Sequence, residues 1–513
     1  MIATESRTIT VPLNRVEGDL EVKVEIRDGV VTDAWSAGTM YRGFENMLRG
    51  RGAYDGLVIT PRICGICGTA HLTAAALALE SIAGTPSPPN ATIARNIALM
   101  TEHVQSDLRH GILMFLADFA NPAYSGSPLH EEAVRRFAPL QGSSVLEAVR
   151  QTRDLLQIVA IIGGQWPHST YMVPGGTTTH VKRSEISTCR YLLDSFQAYY
   201  ERSVLGCSLE RWLQIESLAD LDAWLDEAPA HRDSDLGFFL RFGREIGLDR
   251  IGRSHGNYLC YGQLDIPAQS RVRGRGNDEK QLVPGGFHHG GSGYPFEQRE
   301  IAEHVSHSWY QDYEGGRHPH EGETIPYASG QERHKYSWAK APRYNGLPAE
   351  TGPLAEMVIS GHPLFTDLIA VDGGSALTRE LARLTRAAEL LPAMRRWFDE
   401  LDVGAPFYTP TERVTDGVGF GTTQASRGAL GHWIKLTDGR IDHYQVITPT
   451  GWNCSPRDGD GVRGPWEEAL VGTPVADETN PIELGHVVRS FDACLVCCVH
   501  TVRGSQSLVK VRV

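Results

Sequence analysis

No stretch of this sequence holds 18 consecutive apolar residues, and the longest candidate, LLQIVAIIGG (155–164), is far too short for a bilayer-crossing helix. Positive charge is not in excess either. Lys and Arg total 49 against 62 Asp and Glu, a net charge of -13. Nucleic acid is therefore not expected as a partner, because phosphate binding needs clustered cations. The opening MIATESRTITVPLNR lacks the apolar core of a secretory signal. The expectation is a cytoplasmic protein, associated with a membrane only peripherally and through partners. Cysteine is sparse and odd in number, nine in 513 residues, which is not a disulfide framework. A reducing compartment follows, and five of the nine gather in two short clusters.

The remainder has the profile of a protein with a large core, 41% hydrophobic and 22% charged. Residues 20–36 alternate Val22, Val24, Ile26 and turn at Asp28-Gly29, and 432–448 repeat the pattern around Asp438-Gly439; both read as β-hairpins. Between them lie helical stretches at 71–84, 91–119, 183–204 and 376–401, the last with a kink expected at Pro392. Residues 264–335, rich in Gly, His and Pro, read as long surface loops. No repeat or low-complexity linker divides the chain. The expected fold is α+β and mainly helical: one domain over 1–513, with a core bundle of long helices and small peripheral β elements from the N- and C-terminal regions.

PRICGICGTAH (61–71) supplies Cys64 and Cys67, half of a metal site. FDACLVCCVH (491–500) repeats the spacing with Cys494 and Cys497, followed by His500. Two such pairs give four thiolates for a soft metal, and the chemistry alone admits zinc, an iron–sulfur cluster or nickel. A structural zinc fits poorly, because zinc ribbons close short loops in domains that lack a core. Arg62 precedes the first pair and is expected to balance the thiolate charge. One such contact at 4 Å is worth roughly 4 kcal/mol at a dielectric of about 20, before desolvation.

These motifs resemble those of nickel–iron hydrogenase large subunits. RICGICGTAH is similar to the family's R-x-C-G-x-C-x-x-x-H, and DACLVCCVH to its D-P-C-x-x-C-x-x-H. NRVEGDLEV (14–22), YRGFENMLRGR (41–51), EHVSHSWY (303–310), YSWAKAPRYNGLPAETGPLA (336–355), SRGALGHW (426–433) and VITPTGWNCSPR (446–457) follow in the family's order. The resemblance covers essentially the whole chain, and its opening region is most like the uptake-type, cytoplasmic cyanobacterial-like group. It implies reversible heterolytic cleavage of H2 at a Ni–Fe centre whose iron carries CO and cyanide. Cys64 and Cys494 would be terminal nickel ligands, with Cys67 and Cys497 bridging to iron. Glu17 would transfer protons, its carboxyl pKa raised by a dry site. Arg427 would stand over the open nickel position, paired with Asp492. Glu45, His500 and the carbonyl of Val446 would hold a magnesium ion. His71 would hydrogen-bond near a bridging sulfur, and His110, with Asp107, would line the same cavity.

The chain departs from the family's Glu-Ala-Pro-Arg-Gly by carrying Gln424 and Ser426 before and beside Arg427, and from its Asp-Pro-Cys by carrying Ala493. Taken singly, Glu17 and Arg427 read as surface residues and His110 as a core histidine. Cys189, Cys207, Cys260, Cys454 and Cys498 read as inert, and the irregularly spaced histidines between 288 and 320 as packing and surface residues. Residues 501–513 match a C-terminal extension removed by a maturation endopeptidase after nickel insertion factors have acted. No cysteines remain for an electron wire, so an iron–sulfur small subunit is implied, in a higher oligomer of heterodimers. The competing readings are a hydrogen-sensing regulatory relative and a quinone-site subunit relative without hydrogenase activity. The second has lost the four cysteines that this chain keeps.

Overall fold

The computed structural model describes residues 6–12, 15, 20–276, 278–328 and 334–494. Both hairpins form where the alternation placed them. Leu20–Arg27 pairs with Val30–Gly38 through Asp28 and Gly29, which both have positive φ, the geometry that matches strand twist in a two-residue turn. Arg7–Pro12 adds a third strand, and Val22, Val24 and Ile26 face the core. Gly428–Thr437 and Arg440–Ile447 turn the same way at Asp438-Gly439, with Gly417–Ala425 as third strand.

Helix dominates the centre. Gly68–Ala83 lies across Gly417–Ala425 so closely that a Cβ on Gly421 would stand 2.1 Å from the carbonyl oxygen of Ala74. Glycine in that strand is a packing requirement. Pro89–Arg109 and Ala376–Glu400 pack against each other and are buried along most of their length, charged residues included. The second runs through Pro392 as one element.

Two expectations need correction. The 91–119 stretch is not one α-helix. After Arg109 it widens into a π-helical turn, His110–Phe115, and then tightens over Leu116–Ala120. Gly111 marks the reason: a Cβ there would meet Leu384 Cδ2 at 2.6 Å, so the long Ala376–Glu400 helix presses on this turn. Such wide turns often mark functional sites. The 264–335 region is not all loop, since it contributes strands Gln281–His289, Ser292–Pro295 and Ile301–His304. Gly285, Gly286, His288 and His304 occupy strand positions there, paired with Tyr258–Asp265, Ser292–Pro295 and Ala341–Tyr344. The architecture is α+β, mainly helical with small sheets. Among the described residues no single helix is long and apolar enough to cross a membrane.

Candidate metal centre

Cys64 and Cys67 sit between a short turn, Thr60–Arg62, and the first residue of the Gly68–Ala83 helix. Arg42 fixes this loop by donating to the carbonyls of Ile63 (2.6 Å) and Arg62 (2.9 Å). The helix start is capped from another element: Thr69 N and Ala70 N donate to the Glu102 carboxylate at 2.9 and 3.1 Å. Cys67 thus lies at the positive end of a helix, where a thiolate is favoured. Burial raises Glu102 to about 7, against the opposing effect of those N–H groups.

The other thiol arrives from the far end of the chain. Helix Ile482–Ser490 stops at Phe491, Asp492 turns with φ of 51°, and Cys494 N donates to Thr450 Oγ1 at 2.9 Å. Cys494 Sγ then stands 3.5 Å from Cys64 Sγ, across 430 residues of sequence. Cys497, His500, Glu17 and the 501–513 extension lie outside the described residues.

Arg427 is carried on a two-residue hairpin tip, Ser426-Arg427, between paired Ala425 and Gly428. Hairpin tips are ordinarily on the surface, but this one is buried against the thiols. Its Nε donates to Asp492 Oδ1 at 2.9 Å. Burial would lower the Arg427 pKa. Asp492 and the sulfurs of Cys494, Cys64 and Cys67 instead hold it well above its ordinary value, so the guanidinium stays charged. Asp492 is likewise opposed by burial but kept well below the carboxylate range by Arg427, His110 and Arg383. His110 Nδ1 lies 2.9 Å from Asp492 Oδ1, and its Nε2 donates to the Arg489 carbonyl at 2.8 Å. Behind Asp492, Arg383 Nε is 3.9 Å from Oδ2 and Arg383 Nη1 donates to Glu380 at 2.5 Å. Arg427, Asp492, His110, Ile66, Leu113 and Trp166 border a cavity of about 200 Å³ beside the thiols.

Other expectations fare differently. Arg62 does not balance the thiolates: it is exposed and its guanidinium turns back to the Val58 carbonyl one helical turn earlier, leaving the counter-charge to Arg427. Asp107 does not line the cavity, because Arg386 takes both its oxygens at 2.8 Å. His71 is buried beside Cys64, and its Nδ1 meets His432 Nε2 at 3.1 Å. His432 Nδ1 in turn meets the Tyr444 hydroxyl at 2.9 Å. Glu45 accepts the Val446 N–H at 3.0 Å and the Thr324 hydroxyl. It shares a cavity of about 50 Å³ with Glu303, Lys340 and Val446. Burial raises Glu303 to about 7, with Lys340 opposing. Two carboxylates around a small polar space suit a hard cation.

The arrangement fits a soft-metal centre. Buried thiols converge from two ends of the chain, and Arg427 Nη1 and Asp492 Oδ2 are buried beside them with no hydrogen-bond partner among the described residues. A sequence profile described as nickel-dependent hydrogenase matches residues 42–127 and 244–500. The chain belongs to the nickel-dependent hydrogenase family. It is 31% identical to the large subunit of the periplasmic [NiFeSe] hydrogenase of Desulfomicrobium baculatum, over 95% of this chain and 94% of that one. The uptake hydrogenase large subunit of Rhodobacter capsulatus is 28% identical over 96% and 95%. Among solved structures, the H2-activated [NiFeSe] hydrogenase of Desulfomicrobium baculatum superposes with a TM-score of 0.81 at 30% identity, covering 97% of this chain and 100% of that one.

In this hydrogenase the motif reading missed Glu102, Arg383, Glu380 and His432. Arg383 and Glu380 carried a faint signal, ionisable residues in a helix otherwise fit for a core. Glu102 carried none, because it acts across the fold on a helix 33 residues earlier.

Proposed function

We propose that this hydrogenase large subunit works in the uptake direction, oxidising H2 and passing the electrons to an iron–sulfur small subunit. Cys64, Cys67, Cys494 and Cys497 would hold its Ni–Fe centre, whose iron would carry CO and cyanide. When bound, that centre supplies a soft, electron-rich pair at which H2 is polarised and split. The chain's own residues do the rest. Arg427 presents a locked positive charge where negative charge develops, and Asp492 keeps it aimed. Glu17 takes the proton outward, and Glu45 with Val446 and His500 holds magnesium. The observation that supports this best is the 3.5 Å approach of Cys64 to Cys494 under the Arg427 guanidinium.

Infrared spectra of the purified holoenzyme in the CO and cyanide stretching region, together with nickel and iron counts, test the centre. One CO band and two cyanide bands with one nickel per chain are expected. Hydrogen oxidation by a preparation free of nickel would overturn the assignment. High-turnover dye reduction under H2 separates an uptake enzyme from a hydrogen sensor, which keeps the same thiols and turns over slowly.

A further inference from the structure

Residue 426 is where the sequence leaves the family pattern beside the arginine, and the serine there makes contacts that a proline lacks. Its hydroxyl lies 3.3 Å from His103 Nδ1, and His103 Nε2 lies 2.8 Å from Gln263 Oε1. Ser426 and His103 have no exposed surface and Gln263 only 3%. Burial, followed by the nearby Arg386, keeps His103 well below its ordinary pKa, so the ring is neutral and carries one N–H. The Gln263 carbonyl oxygen can only accept, which places that hydrogen on Nε2. Nδ1 is then an acceptor, and the Ser426 hydroxyl donates between it and the Glu102 carbonyl, 3.4 Å away.

The tip is held from its other sides as well. Arg386 Nη2 donates to the Ser426 carbonyl at 2.8 Å, and Asp107 and Glu356 hold Arg386 in place. Ala429 N donates to Thr351 Oγ1 at 2.7 Å. Proline would stiffen this position through its ring; serine reaches the same end through an oriented hydroxyl.

We propose that Gln263 and His103 are positioning residues for Arg427: the Gln263 carbonyl fixes the His103 tautomer, His103 anchors the Ser426 hydroxyl, and Ser426 sets where the guanidinium stands over the sulfurs. The inference rests on Arg427 facing the metal centre. Neither positioning residue touches the reacting atoms. The chain Ser426–His103–Gln263 joins the arginine tip, through the Pro89–Arg109 helix, to the strand Tyr258–Asp265, which also meets the Gly417–Ala425 strand directly where Gln424 Nε2 donates to Cys260 Sγ at 2.8 Å.

The test uses the metal-loaded holoenzyme with Gln263→Leu, Gln263→Glu, Ser426→Ala and the double variant Ser426→Ala/Gln263→Leu. Gln263→Leu is expected to lower kcat roughly tenfold, the scale of a small misplacement at a reacting centre. Nickel content should be retained, KM for H2 little altered and the iron-bound CO band displaced. Gln263→Glu keeps an acceptor for His103 Nε2–H and should recover most of the loss. The double variant should fall no further than the worse single one, because both break the same chain of contacts. Should Gln263→Leu fail to fold, Ser426→Ala removes a single oxygen and carries the same expectation for kcat and the CO band. Additive losses, or single variants with unchanged kcat and CO band, would overturn the proposal. Arg427→Lys separates the two levels: if it is fully active, the placement of Arg427 itself fails. If it is inactive while Gln263→Leu behaves as the parent, only the positioning role fails.

Discussion

The thiols stand between two unlike surroundings. On one side Arg427, Asp492, Arg383 and Glu380 form a buried ionic group in which each charge meets an opposite one, with His110 Nδ1 2.9 Å from the Asp492 carboxylate. On the other, His71, His432 and Tyr444 form a row without formal charge. Burial takes His71 to about 4 and His432 well below its ordinary value, and lifts the Tyr444 hydroxyl well above its own. Among the described residues, Arg427 is the cation that the sulfurs of Cys64, Cys67 and Cys494 hold in its charged form, and it stands on the ionic side. A charge change at the metals is therefore felt by the ionic side, while the neutral side offers hydrogen bonds whose state is constant across physiological pH.

The ionic side should break most severely. Arg427→Lys keeps a positive charge but loses the planar fork, and about 10²- to 10³-fold of kcat should go with it, by analogy with loss of one oxyanion donor. Nickel content should be unchanged, so activity per nickel is the measurement. Asp492→Asn leaves Arg427 and Arg383 buried without their shared counter-charge. A stability loss on the order of 3 kcal/mol is expected, read as a lower denaturant midpoint of the metal-free chain.

Glu102 tests the ground between the two sides. Its pKa is raised from 4.5 to about 7 in the fold, so the native state binds a proton that the unfolded state has released. Its contribution to stability is full below about 4.5 and is lost as pH rises through about 7. Metal-free protein should lose on the order of 3 kcal/mol across that window from this group. Glu102→Gln should flatten the fall, as pH-dependent urea unfolding would reveal. The smallest effect belongs to the neutral side. His432→Phe should cost about 1 kcal/mol of stability and only a few-fold in turnover, without moving the pH profile of hydrogen oxidation. A shifted profile would mean that this row carries charge after all.

Much of this was legible in the sequence where the signal is local. Asp28-Gly29 and Asp438-Gly439 announce turns because both need positive φ, and the C-x-x-C spacing at each end of the chain pointed to the approach seen between Cys64 and Cys494. Position 62 misled because charge adjacent in sequence need not be adjacent in space: on a short turn its side chain rotates outward. Arg427 could be found only by motif, since nothing in SRGALG says that a hairpin tip is buried. The Ser426–His103–Gln263 contacts were out of reach, because three residues 160 and 323 positions apart share no period or composition. The π-helical turn at His110 depends on pressure from a helix 270 residues later, which no local propensity encodes.

The span between Cys64 and Cys494 also sets a timetable. At about 5–20 residues per second, a ribosome that has finished the first cysteine pair needs tens of seconds to deliver the second. Throughout that interval two reactive sulfurs wait without the partners that will enclose them, open to oxidation or to the wrong ion. A site built from both ends of the chain can therefore close only on a nearly finished polypeptide.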